Sequence, residues 1–234
     1  LAEIKNLKVF INKKNFFSKK NMNIKKIIIN QGNFSLLKDD LELLNKFENN
    51  YLSNKKIYID NSNIFFKDSL NEIILIVKIY KANLFFDNKK LLNLLNLKGE
   101  VFNIPFVFNF EKQIDLPKNK LINIDAKNLR LNILNESSRT KQNFIHGKNV
   151  ISFMNSKINT EYKIKDKIIT FTSDNSRINN SHVDYKGKLS IHPFDVDLNI
   201  DIYNYKISKL LYTNPILNEF IKSGLVFNDN ISLN

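Results

Sequence analysis

Lys55-Lys56-Ile57-Tyr58-Ile59-Asp60-Asn61-Ser62-Asn63-Ile64-Phe65-Phe66 reads as a strand, a short polar interruption, and more strand. Side chains on a strand change face at every residue, so Ile57 and Ile59 share one parity while Ile64 and Phe66 carry the other. A straight strand would put the two pairs on opposite faces. One extra residue at the interruption, inserted as a β-bulge, returns all four to the same face.

The pattern recurs. Lys25-Lys26-Ile27-Ile28-Ile29-Asn30-Gln31-Gly32-Asn33-Phe34-Ser35-Leu36 precedes it, Val77-Lys78-Ile79-Tyr80-Lys81-Ala82-Asn83-Leu84-Phe85-Phe86 follows it, and a fourth copy runs from Ile122 to Leu131. Each has apolar residues at i and i+2, Asn at i+6, and apolar residues at i+7 and i+9. Internal repetition of this kind sets the architecture. Gly32, Ser62 and Ala82, all small, stand just before the Asn; Lys127 breaks that rule. Asn33, Asn63, Asn83 and Asn128 are the expected holders of a left-handed backbone. Asp174-Asn175-Ser176 repeats the triplet Asp60-Asn61-Ser62 as a fainter echo.

A second unit appears in Lys98-Gly99-Glu100-Val101-Phe102-Asn103-Ile104-Pro105-Phe106 and again in Lys186-Gly187-Lys188-Leu189-Ser190-Ile191-His192-Pro193-Phe194. Gly inside a strand and Pro near its start read as strand, turn, strand. Around these units, Leu7–Ile11, Ile73–Phe86, Val150–Met154, Ile158–Ile164, Ile168–Thr172 and Val196–Ile202 read as strands, with a hairpin turn at Lys165-Asp166-Lys167. Leu37, Leu41, Leu44, Phe47 and Tyr51 recur at helical spacing, and Leu210 to Leu225 predicts a second short helix. A helical turn is expected over Leu91–Leu95, and a loosely polar stretch over Asn135–Lys148. Scarce Gly (5) and Pro (4) predict long strands and few tight turns.

The expectation is therefore a mostly-β chain: an elongated, curved antiparallel sheet of repeated long strands with one to three short helices. It forms a single β-rich region over 1–234, with possible sub-repeats 1–112 and 113–234. Leu1 and the closing Ile231-Ser232-Leu233-Asn234 read as cut from a longer chain.

Composition narrows function. At 43% hydrophobic residues general disorder is excluded. The formal charge of +13 comes from 36 Lys and Arg against 23 Asp and Glu, with only three arginines (Arg130, Arg139, Arg177). Nucleic-acid recognition leans on the planar fork of Arg, so a Lys-dominated surface fits anionic lipid head groups better. Absent Cys removes disulfides and thiolate metal sites. The three histidines (His146, His182, His192) lie outside metal-ligand spacing of any carboxylate cluster, and the chain holds no phosphate loop or nucleophile elbow. We expect no enzyme, no cofactor and no metal.

Long strands with apolar residues on one face and Lys and Asn on the other make a curved sheet whose concave face can serve as a groove for acyl chains. Ile57, Ile59, Ile64, Phe66, Val77, Ile79, Leu84 and Phe86 are the candidate lining. The Ile-x-Ile-Asp-x-Ser-Asn-Ile-Phe-Phe and Lys-Gly-x-[Val/Leu]-x-x-x-Pro-Phe units, with the closing Asn214–Gly224 segment, resemble the AsmA-like family. That resemblance implies a bacterial envelope protein held in the inner membrane by an N-terminal helix and reaching into the periplasm. It further implies phospholipid acyl chains as partners, in lipid transport or outer-membrane assembly, and no nucleic acid. The anchor would lie outside this chain, and the family fixes no individual functional residue. The alternatives from composition are a structural or adhesin-like β-repeat protein and a basic nucleic-acid binder.

Overall fold

The computed structural model describes residues 2–12, 24–37, 50–115, 118–141, 144–191 and 193–203. They form one curved sheet of thirteen strands hydrogen-bonded in chain order. The strands are β1 (Ala2–Ile11), β2 (Ile24–Leu37), β3 (Lys56–Lys67), β4 (Ile73–Asp87), β5 (Leu92–Val101), β6 (Ile104–Gln113) and β7 (Lys118–Ala126). After them come β8 (Leu131–Lys141), β9 (Phe144–Phe153), β10 (Ser156–Lys165), β11 (Ile168–Ile178), β12 (Ser181–Ile191) and β13 (Phe194–Ile202). Mostly-β architecture with long strands is what the sequence predicts. The sheet is mixed rather than purely antiparallel, because β2 and β3 run parallel with Lys26 beside Lys56 and Leu37 beside Lys67. A parallel pair needs a crossover connection in place of a hairpin; of the residues that join the two strands, 38–49 lie outside the described residues.

Several local expectations change. Leu92–Val101 is strand, so the helical turn over Leu91–Leu95 is replaced by a turn at Asn88–Leu91 and the start of β5. The polar stretch Asn135–Lys148 supplies most of β8 and the start of β9, because cross-strand pairing satisfies Asn and Ser as well as it does apolar residues. The only helical element among the described residues is a 3-10 turn, Lys127–Leu129. Of the first expected helix, Leu37 ends β2 and Tyr51 is non-helical, while 38–49 and the second expected helix fall outside the described residues. Tight turns are common despite the scarcity of Gly. Phe102-Asn103 (φ 50° and 62°) and Asp166-Lys167 (φ 49° and 67°) close two-residue hairpins, and Met154 (φ 52°) and Asn179 (φ 55°) begin two more. Both central residues at positive φ match the twist of the flanking strands.

The polar interruption of the opening stretch is a crease. Asn61 has φ 47° and its neighbour on β2, Gln31, has φ 58°. The β2–β3 register keeps one offset on both sides of the crease, and so do the β1–β2 and β3–β4 registers. The extra residues of β1 to β4 therefore lie side by side. They end at β5, where Ile79 pairs with Gly99 but Lys81 with Lys98, leaving Tyr80 unmatched. The left-handed residue is thus two positions before the expected one. Asn33, Asn63, Asn83 and Asn128 do not have positive φ; Asn63 instead donates its side-chain N–H to Asn33 Oδ1 (3.1 Å) along the parallel ladder. The fourth copy is a chain reversal: Ala126 pairs with Leu131 across the 3-10 turn, with Arg130 at φ 50°. The echo Asp174-Asn175-Ser176 is the truer repeat. Asn175 has φ 59°, and the β11–β12 register shifts there.

Ser62 and Ser176 show why the triplet carries Ser. Both are buried, and each accepts a backbone N–H from the neighbouring strand, Gly32 to Ser62 Oγ (2.9 Å) and Asn159 to Ser176 Oγ (2.8 Å). At a crease an amide that would point to a carbonyl finds none, and the short hydroxyl replaces it.

Candidate functional site: the inner face

β5 pairs with β6 without a break, so its alternation is a ruler for the faces. Leu95, Leu97, Gly99 and Val101 share one face of β5, opposite Leu84, Ala82, Ile79 and Val77 of β4. Those residues in turn oppose Ile57, Ile59, Ser62 and Ile64 of β3, and Phe66 follows opposite Leu75. All eight candidate residues, including Phe86, therefore lie on one face. The expected common face holds, with the extra residue at Asn61 instead of Asn63.

This face is apolar along its middle, while toward one lip β6, β7 and β8 place Lys112 (buried), Lys118, Lys120 and Arg139 on it. One row passes through Leu7, Ile29, Ile59, Ala82, Leu97, Phe108, Ile124, Ile133, Ile151 and Ile158. Val183, Leu189, Val196, Leu198, Ile200 and Ile202 continue it on β12 and β13. It is also the sheltered face: on β10, Ile158, Tyr162 and Ile164 are half-buried where Lys157, Glu161, Lys163 and Lys165 are exposed. Buried Ile79, Ala82, Phe110 and Val183 belong to it. Shelter fades at the edges, where Leu7 is 57% exposed and Leu198 48%. Among the described residues no second layer of strands or helices covers it. It is a trough whose axis crosses the strands, with the turns forming two lips.

Glycines and aromatic rings let the sheet bend. A Cβ on Gly147 would lie 2.5 Å from the Tyr162 ring, and one on Gly187 2.5 Å from the Phe171 ring. Each bare backbone is covered by a ring from the next strand, the exchange known from edge glycines in designed sheets.

Two further features break the apolar run. On β8 to β12 the inner face carries Asn135, Asn149, Thr160, Tyr162, Ser173 and Tyr185. There Asn135 Nδ2 donates to the Tyr162 hydroxyl (3.0 Å), and Thr160 and Tyr185 share a hydrogen bond. The trough is thus narrower in apolar width at that step. At the other end, residues 50–53 fold over the inner face. Asn93, wholly buried, accepts the Leu52 N–H (2.9 Å) and donates to the Asn50 carbonyl (2.8 Å). The Tyr51 ring stands edge-on against Phe86 at 4.9 Å, and its hydroxyl donates to Asp115 Oδ1 (2.8 Å), a bond that raises the phenol pKa. Sequence reasoning missed both features.

The outer face mixes charged residues with apolar ones, among them Phe65, Ile76, Phe85 and buried Leu94. Lys148 of β9 stands between Glu136 and Glu161, and Lys78 Nζ meets Glu100 Oε1 at 2.7 Å while the Tyr80 hydroxyl also donates to Glu100. These donors lower the Glu100 pKa, Lys78 first, and Glu100 raises those of Lys78 and Tyr80. A cleft of about 920 Å³ lies mainly on the outer side of β6 to β11, among Glu111, Glu136, His146, Lys148 and Lys163. Among the described residues, no group of three or more His, Asp or Glu is placed to hold a metal ion, and no helix is long and apolar enough to cross a membrane. His182 sits 3.0 Å from Asp184 on the surface, and His192 lies outside the described residues.

Compared with family models, curated proteins and solved structures, the chain matches none.

Proposed function

We propose that the chain holds phospholipid acyl chains along its inner face, as a non-enzymatic part of bacterial envelope biogenesis. Its role would be lipid transport or outer-membrane assembly. The observation that carries this reading is an apolar face that runs unbroken in one row from Leu7 to Ile158, sheltered by curvature and uncovered by a second layer among the described residues. Apolar surface of that extent is unfavourable in water unless something apolar lies on it. A trough is the shape that covers an acyl chain while leaving its head group at the rim. The excess of Lys over Arg and the net charge of +13 suit that anionic head group. The resemblance of the repeated units to AsmA-like proteins supports the same reading. It also points to the periplasmic side of the inner membrane, with the anchor outside this chain.

The test is native mass spectrometry of the protein purified from membranes. Bound phospholipid is expected in the wild type and strongly reduced in the Ile59→Asp and Leu97→Asp variants, which place a charge in the central row. If neither co-purified nor added phospholipid binds the wild type, the proposal fails and the inner face is the core of a structural assembly.

A further inference from the structure

From β5 to β10 the inner face carries charge at one place. Lys112 of β6, Lys118 and Lys120 of β7 and Arg139 of β8 stand there together, Lys112 paired with Lys120 and Lys118 with Arg139. The carboxylates of these strands, Glu100, Glu111, Asp125, Glu136 and Glu161, all stand on the outer face. Asp115, the acid of the β6–β7 turn, accepts the Tyr51 hydroxyl. The four cations therefore share a face of β5 to β10 that holds no carboxylate.

Side chains directly opposite on neighbouring strands have Cβ atoms about 5 Å apart, and like charges there weaken a sheet. Lys112 is buried, and it and Lys120 each have a partner within the chain. Lys118 and Arg139, both half-buried, have none among the described residues. Two opposed cations, partly out of water and unpaired, do nothing for the fold. They are spaced for an anion that bridges them, and the planar fork of Arg matches a phosphate.

What lies beside the pair decides which phosphate. Along the same row Arg139 is followed by Ile145, Ile164, Ile169, Leu189 and Val196 on β9 to β13. The first four are half-buried. At about 4.8 Å per strand the row runs about 24 Å from Arg139. That exceeds the ~15 Å depth of hydrocarbon in one leaflet of a bilayer. A phosphate at Lys118 and Arg139 can thus carry an acyl chain laid along this row, whereas a free phosphate leaves the row bare.

We propose that the Lys118–Arg139 pair holds the phosphate of a phospholipid whose acyl chain lies across β9 to β13, with Lys112 and Lys120 strengthening the local positive field. This rests on the reading of the inner face as an acyl-chain trough, and adds to it the place of the head group and the direction of the chain.

Native mass spectrometry of the full chain tests it with three probes: dioleoyl phosphatidic acid, dioleoylglycerol (the same chains without the phosphate) and inorganic phosphate. Lys118→Gln and Arg139→Gln are compared with Lys163→Gln, which removes the same charge from an exposed outer position on β10, after circular dichroism confirms an unchanged fold. The wild type is expected to prefer phosphatidic acid to dioleoylglycerol. Lys118→Gln and Arg139→Gln should each weaken phosphatidic acid roughly tenfold and leave dioleoylglycerol unchanged, and Lys163→Gln should change neither. Equal binding of the two lipids by the wild type overturns the inference while the trough reading stands. So does an equal loss in Lys163→Gln, or inorganic phosphate held as tightly as the phospholipid. Binding of neither lipid overturns the trough reading, and the inference with it.

Discussion

Replacing Asn61 with Val tests the crease directly. Asn61 holds φ 47°, where a side chain beyond Gly or Asn crowds the following carbonyl. Left-handed backbone costs an ordinary L residue about 1–2 kcal/mol, and a β-branched one sits at the top of that range. The Asn61 side chain adds little of its own, since its contact to Asn30 Oδ1 is long (3.5 Å) and exposed. Asn61→Val should therefore cost about 2 kcal/mol, and Asn61→Gly close to nothing. Asn63→Val, two residues on, is the control. It loses an exposed hydrogen bond to Asn33, worth about 0.5–1 kcal/mol, and gains a β-branched residue in ordinary strand geometry, so its net effect is within about 0.5 kcal/mol. With a urea slope of about 2 kcal/mol/M, the first variant moves the midpoint by about 1 M and the control by a quarter of that or less. Urea titrations followed by circular dichroism read both. Equal losses, or a larger loss at Asn63, would refute the placement of the extra residue and with it the argument for a common inner face.

The two buried hydroxyls make a matched pair. Ser62→Ala and Ser176→Ala each strand a backbone N–H, of Gly32 and Asn159, so each should cost about 1–3 kcal/mol by denaturant titration, and a cost at one site alone would separate the two triplets. Gly147→Ala should lose about 1–3 kcal/mol, because the new methyl meets the Glu136 carbonyl at 2.7 Å as well as the Tyr162 ring, whereas Gly32→Ala meets only side-chain atoms at 3.0 Å or more and should lose far less. Glu100, with its pKa lowered by Lys78 and then Tyr80, contributes stability above the unfolded carboxylate range that disappears as pH falls through its folded value. Thermal midpoints of wild type and Glu100→Gln should therefore differ slightly at neutral pH, since the cluster is exposed, and converge once pH has fallen below the lowered folded value.

The parity switch between Ile57/Ile59 and Ile64/Phe66 was legible because it is a property of spacing alone, and it placed eight residues on one face. The site of the extra residue was not, since Asn61 and Asn63 differ only in backbone angle. Nor did spacing separate a crease from a reversal: Ile122–Leu131 has the same pattern as Lys55–Phe66 but turns back at Arg130. The hairpins at Asp166-Lys167 and within the Gly99/Pro105 unit were legible, whereas the turns at Met154 and Asn179 lack the Gly that would have signalled them. The polar step at Asn135, Tyr162 and Tyr185 needs three separated strands brought together, which a single stretch of sequence does not encode.

Strand length goes with the creases of β2, β3 and β4; the shorter β1 shares theirs because its register with β2 is unbroken there. β4 has 15 residues and spans about 50 Å, and β2 and β3 have 14 and 12, while β5 to β13 have 9 to 11. A long strand in a trough must bend sharply toward the inner side, and bending without an added residue leaves the two halves in fixed alternation. The extra residue bends the strand and shifts parity together, so Ile57 and Ile64 face inward on either side of it. Shorter strands curve with less, at Gly99, Gly147 and Gly187, and only β11 among them needs an added residue, at Asn175. The step that interrupts the hydrophobic pattern in the sequence is thus what keeps the inner face continuous in the fold.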